Sequence, residues 1–347
     1  MTSKVRQAVI MVGGKGTRLR PLTYDRPKPI LPVLDKPCIE YLIDSFACSG
    51  IEEVILACGY RSEQMVQAIG DGTKQGISIV YSYEDEPMGT GGAIKLLEDR
   101  LDDVFVAANG DVFIDFNLQE EIDVHLNSDA TVTIALTPVE NPCEFGIAKT
   151  DETGRIIEFK EKPKPEEVFS NLINAGVYVV NKEVMGLVPK GTMYDFSKDL
   201  FPLIMKKGYR VQGHVITGSW RDVGRPSDLL FSNIETAERK YKGHDWSPQV
   251  TSSKTKGSLY VGEDARATFC DLDSAVLSKG CQITDSIIRS SLLMADCVVR
   301  SAYIENSILG EGCIVKSGAR VINSILGDKT VVSEKAILKN DSGMKNA

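Results

Sequence analysis

Five short apolar segments recur at near-constant spacing towards the end of the chain: Leu259-Tyr260-Val261-Gly262, Ala275-Val276-Leu277-Ser278, Ser291-Leu292-Leu293-Met294, Ser307-Ile308-Leu309-Gly310 and Ser324-Ile325-Leu326-Gly327. Their starts lie 16, 16, 16 and 17 residues apart. Within a unit, apolar residues return near every sixth position, as in Ile308 and Ile314 or Leu326 and Val332. Short β-stretches turning at this interval stack into the coils of a β-helix, in which five coils share a core that one could not bury alone. An evenly spaced β-sandwich is the alternative. Upstream, residues 243–257 turn polar, with His244, Ser247, Pro248, Gln249, Ser252, Ser253 and Lys254, a linker composition. The expected organisation is therefore a first domain over 1–242, a linker over 243–257, coils over 258–340 and a polar tail over 341–347. That tail either caps the final coil or is disordered.

The first domain alternates strand and helix. Ala8–Val12 is an apolar run bounded by glycine, the pattern of a buried strand of an α/β sheet. Ile39, Leu42, Ile43 and Phe46 share a helical face that ends at Gly50. Strands are expected at Glu53–Cys58, Ile77–Tyr83 and Val104–Ala108, and helices from Ser62 to Gly70 and from Thr90 to Leu101. Repeated strand–helix units imply a Rossmann-like, mostly parallel sheet covered on both faces, with ligands beyond the carboxyl ends of the strands. Beyond residue 130 the pattern changes. Ala130–Val139 is strand-like, Asp151-Glu152-Thr153-Gly154 signals a hairpin, and helices are expected at Asp195–Lys207 and up to about Lys242.

The chemistry concentrates just past the first strand. Gly13, Gly14 and Gly16 let the backbone approach a ligand, and their N–H groups can cradle an anion. Arg18 and Arg20 add forked cationic donors suited to phosphate oxygens, so the simplest ligand is a polyphosphate. Two familiar glycine signatures do not fit: Lys15 is followed by Gly16 rather than Ser or Thr, and Leu19 stands where a dinucleotide fingerprint has its last glycine. Lys28 leaves a stiff backbone between Pro27 and Pro29. Asp111 follows a buried strand and is a candidate Mg²⁺ ligand, or else the residue of a simple Asx-turn. Gly89-Thr90-Gly91-Gly92-Ala93 opens a helix that its glycines weaken, which a nucleotide base lying flat on the backbone would justify; a loose N-cap is the bland alternative.

Taken together, Gly13 to Thr23 and Arg26-Pro27-Lys28-Pro29 resemble the opening of the sugar-1-phosphate nucleotidyltransferases, whose signature is Gly-Gly-x-Gly-Thr-Arg-Leu-x-Pro-Leu-Thr followed by Pro-Lys-Pro. The resemblance runs from about Val5 to Leu338, and the C-terminal repeats resemble the left-handed β-helix that follows the catalytic domain in several of these enzymes. It implies nucleotide binding by Val12, Gly13, Gly14, Gly16, Thr17, Arg18, Lys28, Gly89, Thr90, Gly91, Gly92, Asn109, Gly110 and Asp111. Arg18, Lys28 and Lys162 would be catalytic, with Arg18 on the departing phosphates, Lys28 on the α-phosphate and Lys162 on the sugar phosphate. Asp111, Gly146, Glu161, Lys162, Asn174 and Gly176 would bind the sugar phosphate. Asp111 and Asp222 would hold Mg²⁺. The implied reaction is in-line attack of a sugar-1-phosphate oxygen on the α-phosphorus of a nucleoside triphosphate, which needs charge cancellation and geometry but no nucleophilic side chain.

Glu161-Lys162-Pro163, Asn174-Ala175-Gly176-Val177-Tyr178 and Trp220-Arg221-Asp222-Val223-Gly224 look most like the mannose-1-phosphate guanylyltransferases, which points to GTP and mannose 1-phosphate. Thymidylyl and some uridylyl relatives carry Gln where this chain has Gly92; a uridylyl or thymidylyl enzyme acting on glucose 1-phosphate is the alternative. A β-helix acyltransferase usually needs a histidine base, but His125, His214 and His244 all precede the repeats. A silent regulatory subunit would tend to lose the basic residues that are retained here. A net charge of −8 calls for neither nucleic acid nor an anionic membrane as partner. The eight cysteines form no CxxC pair and read as reduced core residues of a cytoplasmic protein without a metal cluster. Exposed coil edges predict a homo-oligomer.

Overall fold

The unbroken apolar run near the N-terminus forms the strand Gln7–Val12, with Ala8, Val9 and Ile10 fully buried. The computed structural model describes residues 5–59, 62–84 and 86–340. The proposed polar tail, 341–347, lies outside them. By compactness the chain divides into two units: the residues through Gly14 with Ile39–Trp220, and Lys15–Cys38 with the residues from Arg221 onward.

In the first unit, the strands Val104–Asn109, Gln7–Val12, Glu53–Cys58 and Ser78–Tyr83 lie side by side and parallel. Leu172–Asn181 joins antiparallel to Val104–Asn109 and extends the sheet to Val132–Pro138, which pairs in parallel with Val211–Val215. The hairpin Gly146–Thr150 and Ile156–Glu161 completes this mixed sheet at the turn expected from Asp151–Gly154. Ile39, Leu42, Ile43 and Phe46 of the helix Cys38–Cys48 are all fully buried, as their spacing predicts. A core of Val9, Ile55, Ala107, Tyr178, Phe196 and Phe201 fills the sheet–helix layer.

Two helices differ from expectation. The helix that opens with glycines runs only over Gly89–Lys95, followed by a single 3-10 turn at Glu98–Arg100. Lys95 is buried there because its ammonium donates to the Met185 carbonyl at 2.7 Å and pairs with Glu98 at 2.7 Å. The helix after Asp195 begins as a wide π-turn over Phe196–Leu200 and becomes α-helical only at Phe201–Lys206. Pro202, which has no N–H to give, sits at that junction.

In the second unit, parallel strands stack one coil above the next. On one face Val250–Thr251, Arg266–Thr268, Gln282–Thr284, Val298–Arg300, Ile314–Val315 and Val331–Val332 form a six-stranded ladder. The first rung, and the first four residues of the strand Lys254–Val261 on another face, fall in the stretch expected to be a polar linker. The stack is thus one rung deeper than the five repeats. Leucine, isoleucine and valine from successive coils line its interior, together with Cys281, Cys297 and Cys313. The serines that open the repeats form a corner ladder. Ser307 N–H donates to Ser291 Oγ and Ser324 N–H to Ser307 Oγ, each at 3.1 Å.

All eight cysteines are free, as expected, but Cys48 is exposed and Cys143 only partly buried, so these two are not core residues. Among the described residues, no helix is long and apolar enough to cross a membrane.

Candidate active site

In the first unit, three parallel strands end level, with Val12 opposite Cys58 and Met11 opposite Asn109. Gly13, Gly59 and Gly110 follow directly. Gly110 is glycine for packing: its N–H donates to the Met11 carbonyl at 2.9 Å, and an added Cβ would lie 2.4 Å from Val12 Cγ1. Gly13 and Gly14 are different. Both are exposed, and a Cβ on Gly14 would meet nothing within 4 Å. The fold does not demand glycine there, so the bare main chain is open to a ligand. Asp111 is partly exposed beyond the neighbouring strand.

A second group of predicted residues is continuous with Asn109. A bulge in Leu172–Asn181 places Gly176 at φ 74° beside Asn109, where a Cβ would fall 2.7 Å from Asn109 Nδ2. Asn174 shapes this bulge. Its Oδ1 accepts from Gly176 N–H at 2.9 Å, while its Nδ2 donates to Tyr178 Oη at 2.9 Å and to Ser197 Oγ at 3.0 Å. Both amide hydrogens are spent on protein, which leaves a lone pair of Oδ1 for a ligand. Gly146 pairs with Glu161, and a Cβ on Gly146 would lie 2.7 Å from Glu161 Oε2. Burial pushes the Glu161 carboxyl above its usual range, partly offset by Lys162. Lys162 itself is exposed at φ 47°, its ammonium 3.9 Å from Glu161 Oε1.

The glycines of Gly89–Gly92 have a structural cause. Gly91 and Gly92 N–H groups donate to the Tyr194 carbonyl at 2.8 and 3.0 Å. A Cβ on Gly89 would lie 2.7 Å from that same carbonyl oxygen, and one on Gly92 2.9 Å from the Thr192 carbonyl oxygen. The close approach expected of a base is made, on this side, by the chain's own backbone. Thr90 Oγ1 bonds Asp195 Oδ2 at 3.2 Å.

In the second unit, Gly16 takes a left-handed φ of 57° ahead of the 3-10 turn Thr17–Leu19, and Thr23 Oγ1 donates to its carbonyl at 2.7 Å. Thr17 and Arg18 are exposed, whereas Lys28 is buried. A buried ammonium needs a counter-charge. Asp222 supplies it, with Oδ1 3.1 Å from Lys28 Nζ and Oδ2 3.9 Å from Arg18 Nη2. The carboxylate read as a metal ligand thus also tethers the two cations expected to bind phosphate. A Cβ on Gly224 would lie 2.9 Å from both Arg18 Nη2 and Asp222 Oδ2, so glycine keeps this cluster tight.

Among the described residues, no group of three or more His, Cys, Asp or Glu side chains gathers as a preformed metal cage. Asp111 in the first unit and Asp222 in the second each offer the hard oxygen donors that Mg²⁺ prefers alongside phosphate and water.

Three residues escaped the sequence reading. Glu84 ends the strand Ser78–Tyr83, with its N–H on the Cys58 carbonyl at 3.0 Å. Its Oε2 accepts from Met88 N–H at 3.0 Å, and its Oε1 lies 4.0 Å from a Cβ built on Gly13. The strand-end rule applied to Asp111 would have found it. Asp195 and Ser197 carry no such signal, because their bonds to Thr90 and Asn174 join distant parts of the chain.

Comparison with known proteins places the chain in a family. Residues 7–239 match the nucleotidyl transferase family model, and residues 259–342 match that of a GlmU-like C-terminal hexapeptide domain. The mannose-1-phosphate guanylyltransferase of Mycobacterium tuberculosis is 35% identical over 291 residues, covering 80% of each chain. A UTP–glucose-1-phosphate uridylyltransferase of Synechocystis is 30% identical over 281 residues, covering 77% of this chain and 71% of the relative. A Bacillus anthracis structure assigned as a glucose-1-phosphate thymidylyltransferase superposes with a TM-score of 0.61 at 25% identity, covering 66% of this chain and 94% of that one. The chain therefore belongs to the sugar-1-phosphate nucleotidyltransferase family, its nucleotidyltransferase domain followed by a left-handed β-helix of hexapeptide-type coils.

Proposed function

We propose that this protein joins GTP to mannose 1-phosphate, releasing pyrophosphate and forming GDP-mannose. The observation that carries the reading is the bare Gly13–Gly14 main chain at the level ends of the parallel strands, exposed where packing asks for no glycine. Its N–H groups and the Arg18 guanidinium cradle the triphosphate. Lys28, held in place by Asp222, neutralises the α-phosphate as the new P–O bond forms and the bond to pyrophosphate breaks. Lys162 holds the attacking sugar phosphate, while Glu161, Asn174, Gly146 and Gly176 shape the sugar side. Mg²⁺, bound through Asp111 and Asp222, would neutralise charge on the phosphate oxygens.

Guanine offers two adjacent donors, on N1 and N2, and a carboxylate accepts such a pair. Glu84 stands beside Gly13, its Oε2 accepting from Met88 N–H with capacity for a second donor, and suits that edge. The mycobacterial guanylyltransferase relative supports the same base and sugar. The uridylyltransferase relative keeps UTP with glucose 1-phosphate as a second reading. We further propose a cytoplasmic homo-oligomer in which the coils serve assembly rather than acyl transfer. A panel of five nucleoside triphosphates against several sugar 1-phosphates, read by pyrophosphate release, tests the assignment. GTP with mannose 1-phosphate should give the highest kcat/KM; a preference for UTP or dTTP with glucose 1-phosphate overturns it.

A further inference from the structure

The segment Lys15–Cys38, which carries Arg18 and Lys28, belongs to the same compact unit as the coils. Three anchors hold it there, all at one corner of the stack, where each repeat ends. Near the last coils, Pro21 packs on Gly327, whose Cβ would lie 3.2 Å from Pro21 Cβ. The Arg26 guanidinium grips two successive corners: it donates to Glu311 Oε2 at 2.9 Å and to Asp328 Oδ2. Asp328 is oriented for this by accepting from Glu311 N–H at 2.9 Å through its other oxygen. Gly310 leaves it room, since a Cβ there would fall 2.6 Å from Asp328 Oδ1.

Near the first coils, the segment makes a tight turn at Leu34 and Asp35, both at positive φ. The Asp35 carboxylate accepts from Lys279 N–H at 2.9 and 3.0 Å and from Tyr260 Oη at 3.1 Å. It occupies the place of an absent side chain, as a Cβ on Gly262 would lie 2.2 Å from Asp35 Oδ2. Asn233 steadies the same turn, accepting from Leu34 N–H at 2.9 Å. Gly262, Glu311 and Asp328 stand at or just after the ends of the first, fourth and fifth repeats. With coils about 4.8 Å apart, the anchors span roughly 19 Å along the corner. Lys28 lies between the Arg26 and Asp35 anchors, and Arg18 just before Pro21.

We infer that the β-helix is a positioning element of the catalytic centre: its corner residues Glu311 and Asp328, acting through Arg26, and its Lys279 main chain, acting through Asp35, set where Arg18 and Lys28 stand. Displacing a catalytic group by about 1 Å can cost roughly 100-fold in rate, so a rigid ladder beneath two phosphate-binding cations has a direct catalytic use. The inference rests on the proposed phosphate roles of Arg18 and Lys28.

The test uses the full chain. In Asp328→Asn and Asp35→Asn, kcat/KM for the triphosphate should fall about tenfold while KM for the sugar 1-phosphate stays within twofold. Arg26→Ala added to the pair Glu311→Gln and Asp328→Asn should cost little more, because the pair already breaks both contacts of the Arg26 clamp. Glu311→Gln, at the exposed edge of the clamp, provides a milder variant if Asp328→Asn does not fold. Folded variants that keep kcat/KM within twofold of the parent, or that lose affinity equally for both substrates, overturn the inference. Full activity in Lys28→Ala would instead overturn the phosphate-site assignment, so the two failures are distinguishable.

Discussion

At Gly14 an added Cβ would meet nothing, and at Gly13 only Glu84 Oε1 at 4.0 Å, whereas at Gly262 and Gly310 it would fall 2.2 and 2.6 Å from Asp35 and Asp328 oxygens. The same residue type thus serves opposite ends in the two regions. At Gly13 and Gly14 the space beside the main chain is left open. At the coil corners glycine leaves space that the chain itself fills. Motif and composition alone do not separate these uses; the neighbouring atoms do.

A wider contrast follows. The α/β unit frees the residues past its strands for chemistry, since helices and neighbouring strands already satisfy the sheet. The coils spend their polar residues on one another, as in the Ser291, Ser307 and Ser324 ladder, and bury their cysteines with thiols donating to carbonyls: Cys297 to Gly310 and Cys313 to Gly327, each at 3.2 Å. The Cys297 and Cys313 thiols are pushed well above their ordinary range, Cys297 first by its contact with Cys281 and Cys313 first by its contact with Cys297, with burial adding to both.

The sharpest test of the contrast is Asp111→Asn. It should lower turnover at least 100-fold across a Mg²⁺ titration, with little change in melting temperature. Near-parental activity would remove Asp111 from the metal site. Ile304→Ala, in the coil interior and fully buried, should do the reverse: a loss of about 3 kcal/mol in unfolding free energy by denaturant titration, with kcat little changed. A stability cost below about 1 kcal/mol would mean the coils collapse around the cavity. Gly14→Ala should have the smallest effect, about tenfold in kcat/KM at unchanged melting temperature. If activity is retained, the loop backbone is not in close contact with the triphosphate.

The coil repeat was readable because stacking demands the same side-chain pattern every sixteen residues, and the parallel strands because full burial demands unbroken apolar runs. Even there, the rung at Val250–Thr251 was hidden, since its flanking residues are polar and solvent-facing. The signature loop was readable because the nucleotidyl transferase family carries its residue types in one short local stretch. Asn174 was found by its position, but its part in shaping the bulge at Gly176 was not. That part depends on Tyr178 and Ser197, whose contacts a local pattern does not encode.

By itself, the sequence determined the two architectures and the glycine-rich, cationic make-up of the N-terminal loop, because short-range periodicity and local residue chemistry dictate both. Only the tertiary structure decided that Arg18 and Lys28 converge on Asp222, that Glu84 stands beside Gly13, and that Arg26 and Asp35 tie the loop segment to the coils. Most of these contacts join residues roughly 200 to 300 positions apart. Such pairings arise from how packed surfaces meet, and leave no repeat or spacing for a linear reading to follow.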